Sequence, residues 1–561
     1  MTDFAGPAAA VAIRSALERC NAAAAFGLPG GPNQVLFNAL RNASTRLIVP
    51  THELAAAFMA GTYGRVDGRP GILLTIPGPG FAYALAGIAE AWQDSAPLVH
   101  IVGAPPDGRH PRLRHQSLDQ AAIVRPMVKA VFGVSELAQL GETVCTAFET
   151  ARCGEPGPVV VQLGGAAEWP GNAPDGAPAN AAAARAVWGR IHQARKPVLL
   201  LGQGCTRSAT AIRTYVERTA TPVFTTASGR GVVPEHSPWC LGYDSLREST
   251  EQLNTFLRET DLVIAIGARL AFNGTAVFGV TLAPERLVHV DASAANLNAL
   301  YPASNAVAMP VAAFLAMAES TTSPRTAWTL DSLTPWRLRI RTIQAKDPEP
   351  TIAGQRPQQF FSLLRAALPD HALVVTDSGL HQVLARRYFE VREVHGLLLP
   401  TDLQSMGFAL PSAIAAKLAA PSRPVVALVG DGGALMSGLE LAVAVRERLP
   451  LTVIVFNDGY LNQIRMQQLL DSGQEHGVAL PAVDFQGLAD ATGVDYVAGN
   501  SAIDECIGRA ARGTGVTLID VTVRDGVSVM SAAAQGRAKA VLRGALGTRW
   551  DTLRRWLRRV P

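Results

Sequence analysis

Short, continuous runs of apolar residues recur along the chain and alternate with longer amphipathic or alanine-rich stretches. The clearest runs are GILLTI and PLVHIVGA early in the chain, PVLLLGQG, DLVIAIGA and RLVHVDA in its middle, and ALVVTDSG, PVVALVGDGG and LTVIVFNDG in its last third. Runs without polar alternation are typical of strands buried on both faces, and the strand–helix–strand order makes neighbouring strands parallel. The pattern therefore predicts an α/β fold of doubly wound parallel sheets.

Two irregular stretches divide these elements into three blocks. Residues 164–184, GGAAEWPGNAPDGAPANAAAA, show neither a helical stripe nor strand alternation and are predicted to be a linker. A second, less distinct break lies at residues 319–355. The basic, amphipathic end of the chain is expected to be a helix facing solvent or another subunit, with an anionic group or membrane surface as the alternative. We predict doubly wound domains at residues 1–165, 185–325 and 355–535, and the basic helix at 536–561.

Composition narrows the class of protein. A chain of 561 residues is too long for one hydrophobic core, and 48% apolar with 17% charged residues excludes a largely disordered chain. No apolar run approaches the ~20 residues that span a bilayer, and the first residues lack the pattern of a secretory signal, so a cytoplasmic location is expected. The six cysteines lack metal-ligand or redox spacing, and a net charge of +4 gives no reason to expect nucleic acid.

Polar residues follow two of the buried runs in the last block. The run VVALV ends in GDGG at 430–433, and the next run, LTVIVF, is followed by NDGY at 457–460. A crossover connection returns the chain parallel to its start, so Asp431 and Asp458 are expected at one edge of the sheet. Two such oxygen ligands suit Mg²⁺ that also binds a phosphate, and the glycines let a ligand approach the backbone. An ordinary turn after a strand is the alternative interpretation.

The GDG motif at 430–432, followed 27 residues after its aspartate by a second oxygen ligand, resembles the diphosphate-anchoring motif of thiamine diphosphate enzymes. The resemblance covers nearly the whole chain and implies a pyrimidine-binding, a central and a diphosphate-binding domain. It also implies thiamine diphosphate and Mg²⁺ as cofactors, with Asp431, Asp458 and the backbone of Tyr460 as metal ligands. Six stretches occur in the order of the acetolactate synthase-like group: FGLPGGPNQVLFNAL, THELAAAFMAGTYGR, IPGPGFAYALAGIAEAWQDSAPLVHIVG, HQSLDQAAIVRPMVK, LQSMGFALPSAIAAKLA and FNDGYLNQIRMQQ.

The resemblance implies contacts with both ends of the cofactor. Glu53 corresponds to the carboxylate that binds N1′ of the aminopyrimidine, whereas without the family it would be a dipole partner in the first helical turn. Met406 corresponds to the apolar side chain that holds the cofactor in its bent shape. The other implied cofactor-binding positions are Pro77, Gly78, Asp377, Ser378, His381, Gln404, Ser405, Gly430, Gly432, Gly433 and Leu461.

Four further residues are candidates for the reaction itself. Gly30 and Gly31 correspond to a family loop beside the reacting carbon, and Gln116 matches an active-site glutamine of the acetolactate synthase-like enzymes. His115 could exchange a proton near neutral pH, although a lone histidine is more often a structural hydrogen-bonding group.

The chain also departs from the family. Pro77 and Tyr83 stand where serine and asparagine are usual, which implies a first-domain pocket of different shape. A tryptophan near Gln467 that favours 2-ketobutyrate as acceptor is missing, which argues against isoleucine biosynthesis. The middle block lacks the flavin-binding phrases, so FAD is not expected. Asp458 stands where asparagine is commoner and adds a negative charge beside the diphosphate.

The resemblance predicts a thiamine diphosphate-dependent transferase or lyase acting on small 2-keto acids. Decarboxylation to an enamine would be followed by carbon–carbon bond formation with a carbonyl acceptor. The alternatives are a non-ligating 2-keto acid decarboxylase, an acyloin or acyl-CoA lyase, and a non-catalytic cofactor-binding relative. The resemblance further implies a homodimer or a dimer of dimers whose subunits share active sites. Neither nucleic acid nor a membrane is an expected partner.

Overall fold

The computed structural model describes residues 4, 6–104, 114–165, 169, 181–244, 249–319, 325–344, 350–499, 503–524 and 537. The predicted basic helix at 536–561 lies outside the described residues apart from Arg537, and so does most of the predicted linker at 164–184. Within the described ranges, no helix is both long enough and apolar enough to cross a membrane.

The first domain is built on a parallel sheet. Its elements in chain order are α1 (Pro7–Arg19), β1 (Ala24–Gly27), α2 (Gln34–Leu40), β2 (Arg46–Ile48), α3 (Glu53–Asp67), β3 (Gly71–Thr75), α4 (Pro79–Gln93), β4 (Leu98–Gly103), α5 (Gln120–Val124), β5 (Ala130–Val134), α6 (Leu140–Arg152) and β6 (Pro158–Leu163). The strands lie in the order β2-β1-β3-β4-β6-β5. Every residue of β3 and β6 is buried, which explains their continuous apolar runs.

The central domain has a second parallel sheet. Its elements are α7 (Ala181–Gln193), β7 (Pro197–Leu201), α8 (Ala209–Thr219), β8 (Val223–Thr225), β9 (Cys240–Tyr243), α9 (Thr250–Glu259), β10 (Leu262–Ile266), β11 (Leu287–Asp291), β12 (Asn305–Ala308), α10 (Val311–Glu319) and α11 (Leu330–Gln344). The strand order is β12-β11-β10-β7-β8-β9. The chain reverses its direction of winding between β7 and β10, so a crevice opens at their carboxyl ends.

The third domain has a seven-stranded sheet. Its elements are β13 (Thr351–Ile352), α12 (Pro357–Ala367), β14 (Leu373–Thr376), α13 (Leu380–Tyr388), β15 (Leu397–Leu398), α14 (Ala409–Ala419), β16 (Val425–Gly430), α15 (Asp431–Ser437), α16 (Glu440–Arg446), β17 (Leu451–Asn457), α17 (Asn462–Ser472), α18 (Phe485–Thr492), β18 (Asp495–Ala498), α19 (Ile503–Arg512) and β19 (Val516–Arg524). The order is β13-β19-β17-β16-β14-β15, with β18 also paired to β19. Of the described strands, β13 alone runs antiparallel to its neighbour.

These three sheets confirm the predicted α/β fold of doubly wound, predominantly parallel domains. In the third sheet β16 lies between β14 and β17, so the residues that follow these three strands meet at one edge. The first and third domains share a core in which α3 packs against α14. The rings of Phe58 and Phe408 meet edge to face at 5.4 Å there. The hydroxyl of Thr62 donates to that of Ser412 at 2.8 Å.

Candidate active site

Asp431 stands where β16 passes directly into α15, and its side chain is buried at 5% exposure. Its Oδ1 accepts from Gly432 N–H at 2.8 Å, and its Oδ2 accepts from Gly459 N–H at 2.6 Å and Asp458 N–H at 3.2 Å. Burial raises the pKa of this carboxyl, while the backbone bonds act in the opposite direction. No ion pair to it occurs within the described part of the chain, so a bound cation would complete its environment.

Asp458 supplies a second carboxylate at the same sheet edge. Its Oδ1 accepts from Tyr460 N–H at 2.9 Å, and its Oδ2 accepts from the Asn462 amide at 3.0 Å. No three His, Cys, Asp or Glu side chains group as a metal site among the described residues. A divalent ion here would therefore use two carboxylates together with backbone, water or ligand oxygens. That donor set fits Mg²⁺, which keeps positions for water and phosphate oxygens.

These strand ends open into a cavity of about 300 Å³, which we call the third-domain cavity. Side-chain atoms of Leu461, Met406 and Leu480 surround Gly432 and would lie 3.1–3.3 Å from a Cβ at this position. The absence of a side chain at Gly432 therefore keeps this apolar part of the cavity open to a ligand. Asp377 and Ser405 do not line the cavity. The sequence-predicted residues that do are Ser378, His381, Gln404, Met406, Gly430, Asp431, Gly432, Gly433, Asp458, Tyr460 and Leu461.

His381 presents a ring to this cavity from the first turn of α13. The side chain is 5% exposed, and its Nε2 has no hydrogen-bond partner among the described residues. Burial lowers the pKa of the imidazole to about 3. Gly379 has φ 146°, and a Cβ there would lie 2.8 Å from the ring. A buried ring nitrogen without a partner marks a place where a ligand atom can complete the hydrogen bonding.

Asp377 lies beneath the cavity wall and is fully buried. Its Oδ2 accepts from Gly407 N–H at 3.0 Å, and its Oδ1 accepts from Phe408 N–H at 2.9 Å. Burial raises the pKa of this carboxyl to about 7. A Cβ at Gly433 would overlap its Oδ2, so this glycine is required for close packing rather than for ligand access. Asp377 thus fixes the residues that lead into α14.

Glu53 begins α3 in the first domain. The preceding His52 caps the helix, since its Nδ1 accepts from Leu54 N–H at 3.1 Å. The Glu53 carboxylate lies beside the first turn of α4, where its Oε1 is 3.1 Å from the position that a Cβ at Gly80 would occupy. Both helix N-termini favour a negative charge at this place. Thr51 anchors the turn, because its N–H and hydroxyl both donate to Glu440 of the third domain.

Other predicted first-domain residues gather near the same edge. Gly78 has φ 69°, and a Cβ there would lie 2.8 Å from Gln116, so only glycine fits. Gln116 itself adopts a left-handed φ of 56°. Pro77 borders Gly103. Gly30 packs against the side chain of Ile76, which precedes Pro77. Gly31 begins a short 3₁₀ turn, and His115 is exposed.

The first-domain candidates do not line the third-domain cavity. The residues around this cavity all belong to the third domain, and Glu53, Gly30, Gly78 and Gln116 are not among them.

Three family models match this chain in succession. They describe the N-terminal binding domain of thiamine pyrophosphate enzymes at residues 8–123, the central domain at 184–317 and the C-terminal binding domain at 377–521. The acetolactate synthase large subunit of Parasynechococcus marenigrum is 30% identical, covering 95% of this chain and 90% of that protein. The chain belongs to the thiamine pyrophosphate enzyme family. Thiamine pyrophosphate is thiamine diphosphate, so two predictions are confirmed: thiamine diphosphate as a cofactor, and a thiamine diphosphate-dependent enzyme of the transferase or lyase kind.

Two further relatives show the range of names near this thiamine pyrophosphate enzyme. Acetolactate synthase isozyme 1 large subunit from Escherichia coli is 28% identical over 79% of this chain and 80% of its own. A probable 2-ketoarginine decarboxylase from Pseudomonas aeruginosa is 30% identical over 83% of this chain and 85% of its own. The chain is therefore an acetolactate synthase-like member of the family.

The enzyme has a further cavity of about 450 Å³ at the carboxyl ends of the central sheet, where the three domains meet. Glycines 202, 204 and 267 form its floor. Four arginines line it, and three of them are already paired with carboxylates: Arg65 with Asp94, Arg152 with Glu149, and Arg269 with Asp402 and Glu155. The fourth, Arg207, donates to the Gly68 carbonyl.

Sequence reasoning missed the carboxylates of α4 that reach the third domain. Glu90 accepts from Ser405 N–H at 3.1 Å, and Asp94 accepts from Thr401 N–H at 3.2 Å and from Arg65 at 2.8 Å. Their spacing of four residues on an otherwise apolar helix was the available signal, since it places two acids on one buried face.

Proposed function

We propose that this enzyme decarboxylates a small 2-keto acid and joins the retained carbons to a carbonyl acceptor, using thiamine diphosphate and Mg²⁺. The observation that carries the proposal is the third-domain cavity, where Asp431 and Asp458 stand on adjacent strand ends beside Met406. Carboligation is favoured because relatives named acetolactate synthase match most of the chain. Decarboxylation without ligation is the second candidate, favoured by the relative named 2-ketoarginine decarboxylase.

In this proposal, different residues of the chain bind the diphosphate end and the aminopyrimidine end of the cofactor. Asp431 and Asp458 would hold Mg²⁺ with the Tyr460 backbone, and the glycines at 430–433 would admit the diphosphate at the start of α15. Met406 and Leu461 would support the apolar middle of the cofactor. Glu53 would hold a proton at the aminopyrimidine, and Gly30, Gly31, Gln116 and His115 would border the substrate. When bound, thiamine diphosphate supplies a carbon nucleophile and an electron acceptor for decarboxylation.

We also propose that two subunits share each site in a homodimer or a dimer of dimers. Support comes from the lining of the third-domain cavity, which does not include Glu53. A two-fold axis would bring the first domain of each protomer to the cavity of its partner and create two equivalent sites. We further propose that the three domains span residues 1–165, 185–325 and 355–535.

The test of the reaction uses a panel of 2-keto acids, each supplied with and without aldehyde or keto acid acceptors, and products identified by mass. The proposal expects a condensation product that contains both donor and acceptor carbons. Release of aldehyde alone would favour the decarboxylase. Cleavage of an acyloin or acyl-CoA with no 2-keto acid turnover would favour a lyase. Tight binding of the cofactor without turnover of any compound would favour a non-catalytic relative.

Mg²⁺ dependence is tested by removing the metal. Dialysis against a chelator should release thiamine diphosphate because the metal joins the diphosphate to the two carboxylates, and added Mg²⁺ should restore binding measured by calorimetry. Retention of the cofactor at full occupancy after the metal has gone would contradict the ligand assignment.

We propose that the enzyme works without FAD in the cytoplasm. The paired arginines of the central cavity support the absence of a dinucleotide. The purified enzyme should be colourless, and stoichiometric absorbance in the flavin bands would contradict this. Enzyme recovered in a membrane or secreted fraction would contradict the location.

A further inference from the structure

One wall of the third-domain cavity is an irregular segment between β15 and α14. We call residues 399–408 the Met406 segment. It presents Gln404 and Met406 to the cavity. Two of its residues adopt left-handed backbone conformations, Gln404 with φ 63° and Gly407 with φ 77°. Such an irregular segment lacks the regular backbone hydrogen bonds of a helix or a sheet. Its conformation therefore depends on the other groups that bind its backbone N–H and C=O groups.

Four backbone N–H groups of the Met406 segment donate to carboxylates. On the third-domain side, both oxygens of Asp377 accept, from Gly407 and Phe408. On the other side the acceptors are Glu90 of α4 and Asp94, the residue that directly follows α4 in the first domain. Asp94 accepts from Thr401 N–H at 3.2 Å, and Glu90 accepts from Ser405 N–H at 3.1 Å. Hydrogen bonds to both the first and the third domain therefore hold the Met406 segment in place. Ser405 stands in the sequence between Gln404 and Met406, the two residues of the segment that line the cavity.

Asp94 and Glu90 differ in what else they do. Asp94 also binds the Arg65 guanidinium at 2.8 Å, and its backbone carbonyl accepts from Gln203 of the central domain, so it ties three domains together. Among the described residues, the Glu90 side chain forms hydrogen bonds with Ser405 alone. Its other oxygen, Oε1, has no partner among the described residues. A void of about 10 Å³ beside it has room for no more than one water.

Burying a carboxyl group that forms hydrogen bonds with only one other residue costs folding free energy. Glu90 is 2% exposed and stands on the apolar face of α4, where leucine or methionine would pack at no such cost. Burial raises the pKa of Glu90 to about 8, with Asp94 adding to the rise and Arg65 opposing it. The carboxyl is thus mostly neutral at pH 7, and glutamine is its closest mimic. What the carboxyl contributes is an acceptor that fixes Ser405.

We infer that Glu90 is a positioning residue for the cofactor, which acts by holding Ser405 so that Gln404 and Met406 keep the shape of the cavity wall. The inference rests on the proposed binding of thiamine diphosphate in this cavity. Glu90 does not itself reach the cavity, so its influence passes entirely through the backbone of the Met406 segment.

The test compares three substitutions of Glu90 in the full-length protein. Glu90→Gln keeps an acceptor for Ser405 N–H. Glu90→Met removes the acceptor with little change in side-chain volume. Glu90→Asp keeps a carboxyl group, but its side chain is one methylene shorter, so the acceptor lies farther from Ser405 N–H. We expect Glu90→Gln to bind thiamine diphosphate with Mg²⁺ as the wild type does. Glu90→Met and Glu90→Asp should raise the Kd by roughly threefold to tenfold, because the free energy of the one lost hydrogen bond limits the effect on cofactor binding. In both, the near-ultraviolet circular dichroism of the bound cofactor should change, and kcat should fall with little change in KM.

Thr62→Val is the matched control. It removes a buried hydrogen bond, to Ser412, from the same interface between the first and third domains, and that hydrogen bond does not involve the Met406 segment. It should lower the Tm but leave the cofactor's Kd and circular dichroism unchanged. A purely structural role for Glu90 predicts that all Glu90 variants behave like Thr62→Val.

The outcomes separate this inference from the proposed function. If the wild type binds no thiamine diphosphate, the proposed function fails. If the wild type binds it and Glu90→Met and Glu90→Asp match its Kd and cofactor spectrum, the positioning role is wrong while the function stands. Should Glu90→Met not fold, Glu90→Asp against Glu90→Gln decides the question by the same measurements.

Discussion

At the scale of single residues, two adjacent glycines of the GDGG turn have different tasks. A Cβ at Gly433 would overlap the buried Asp377 carboxylate, whereas a Cβ at Gly432 would meet only the ends of flexible side chains at the cavity. Gly433→Ala should therefore lower the free energy of unfolding by about 2 kcal/mol or more. Gly432→Ala should leave stability nearly unchanged and weaken thiamine diphosphate binding. Urea unfolding and calorimetry measure the two effects, and equal losses of stability would contradict the distinction.

Glu90 gives a residue-scale prediction of pH dependence. Its pKa is raised from 4.5 to about 8 in the folded protein, so the folded state holds a proton that the unfolded state has lost across this range. Its contribution to stability is present below about pH 4.5 and is lost as the pH rises towards about 8. The charged groups nearest it are Asp94 on its own helix and Arg65 on α3, with Arg269 and Asp402 beyond Asp94.

Glu90→Gln cannot lose this proton, so its Tm should rise relative to that of the wild type as the pH increases through that window. The comparison cancels the titration of acids far from Glu90, which both proteins share, whereas Asp94, whose charge raises the pKa of Glu90, contributes to the measured difference. Parallel Tm curves for the two proteins between pH 5 and pH 8 would show that Glu90 does not carry the shifted proton.

At the scale of elements, the sequence predicted the strands well because each carries its own signal. The runs that became β14, β16 and β17 are continuously apolar, and their order alone placed Asp431 and Asp458 at one sheet edge. Two short helices, α15 and α16, follow β16, and α15 starts at Asp431 itself. Gly432 and Gly433 lower the helix propensity of this stretch, so the local sequence does not indicate α15, and packing against the rest of the domain stabilises it.

Contacts between elements could not be predicted in the same way. Glu90 and Ser405 are 315 positions apart, and Asp377 reaches residues 30 and 31 positions further on. No periodicity connects such positions, since their pairing depends on how two domains dock. For the same reason the placement of Asp377 under the cavity wall, rather than in the cavity, was not apparent from a motif at a strand tip.

The packing of α3 on α14 is testable by a double-mutant cycle. Phe58 and Phe408 are both buried and meet edge to face. Phe58→Ala should lower the free energy of unfolding by about 3–5 kcal/mol because it removes a large core side chain. The double variant with Phe408→Ala should lose about 0.5–1.5 kcal/mol less than the sum of the single losses, which is the usual coupling of an aromatic pair. Strict additivity in denaturant unfolding would mean that the two rings are energetically independent.

At the scale of the whole molecule, the proposed site draws on residues of two different domains. Glu53 lies at the first-domain edge beside α4, and Asp431 lies at the third-domain cavity. The proposed shared site requires that Glu53 of one protomer and Asp431 of its partner bind the same cofactor. In a two-fold dimer, a protomer carrying only a defective Glu53 still offers an intact cavity to its partner.

Refolding Glu53→Ala and Asp431→Ala subunits together in equal amounts measures this claim most directly. Random pairing makes about half of the dimers mixed, and each mixed dimer has one doubly damaged site and one intact site. Assayed with saturating thiamine diphosphate, Mg²⁺ and the best 2-keto acid of the panel, the mixture should recover about a quarter of wild-type activity although neither parent is active. If mass spectrometry shows mixed dimers and no activity returns, the two residues act within one chain and the shared site is wrong.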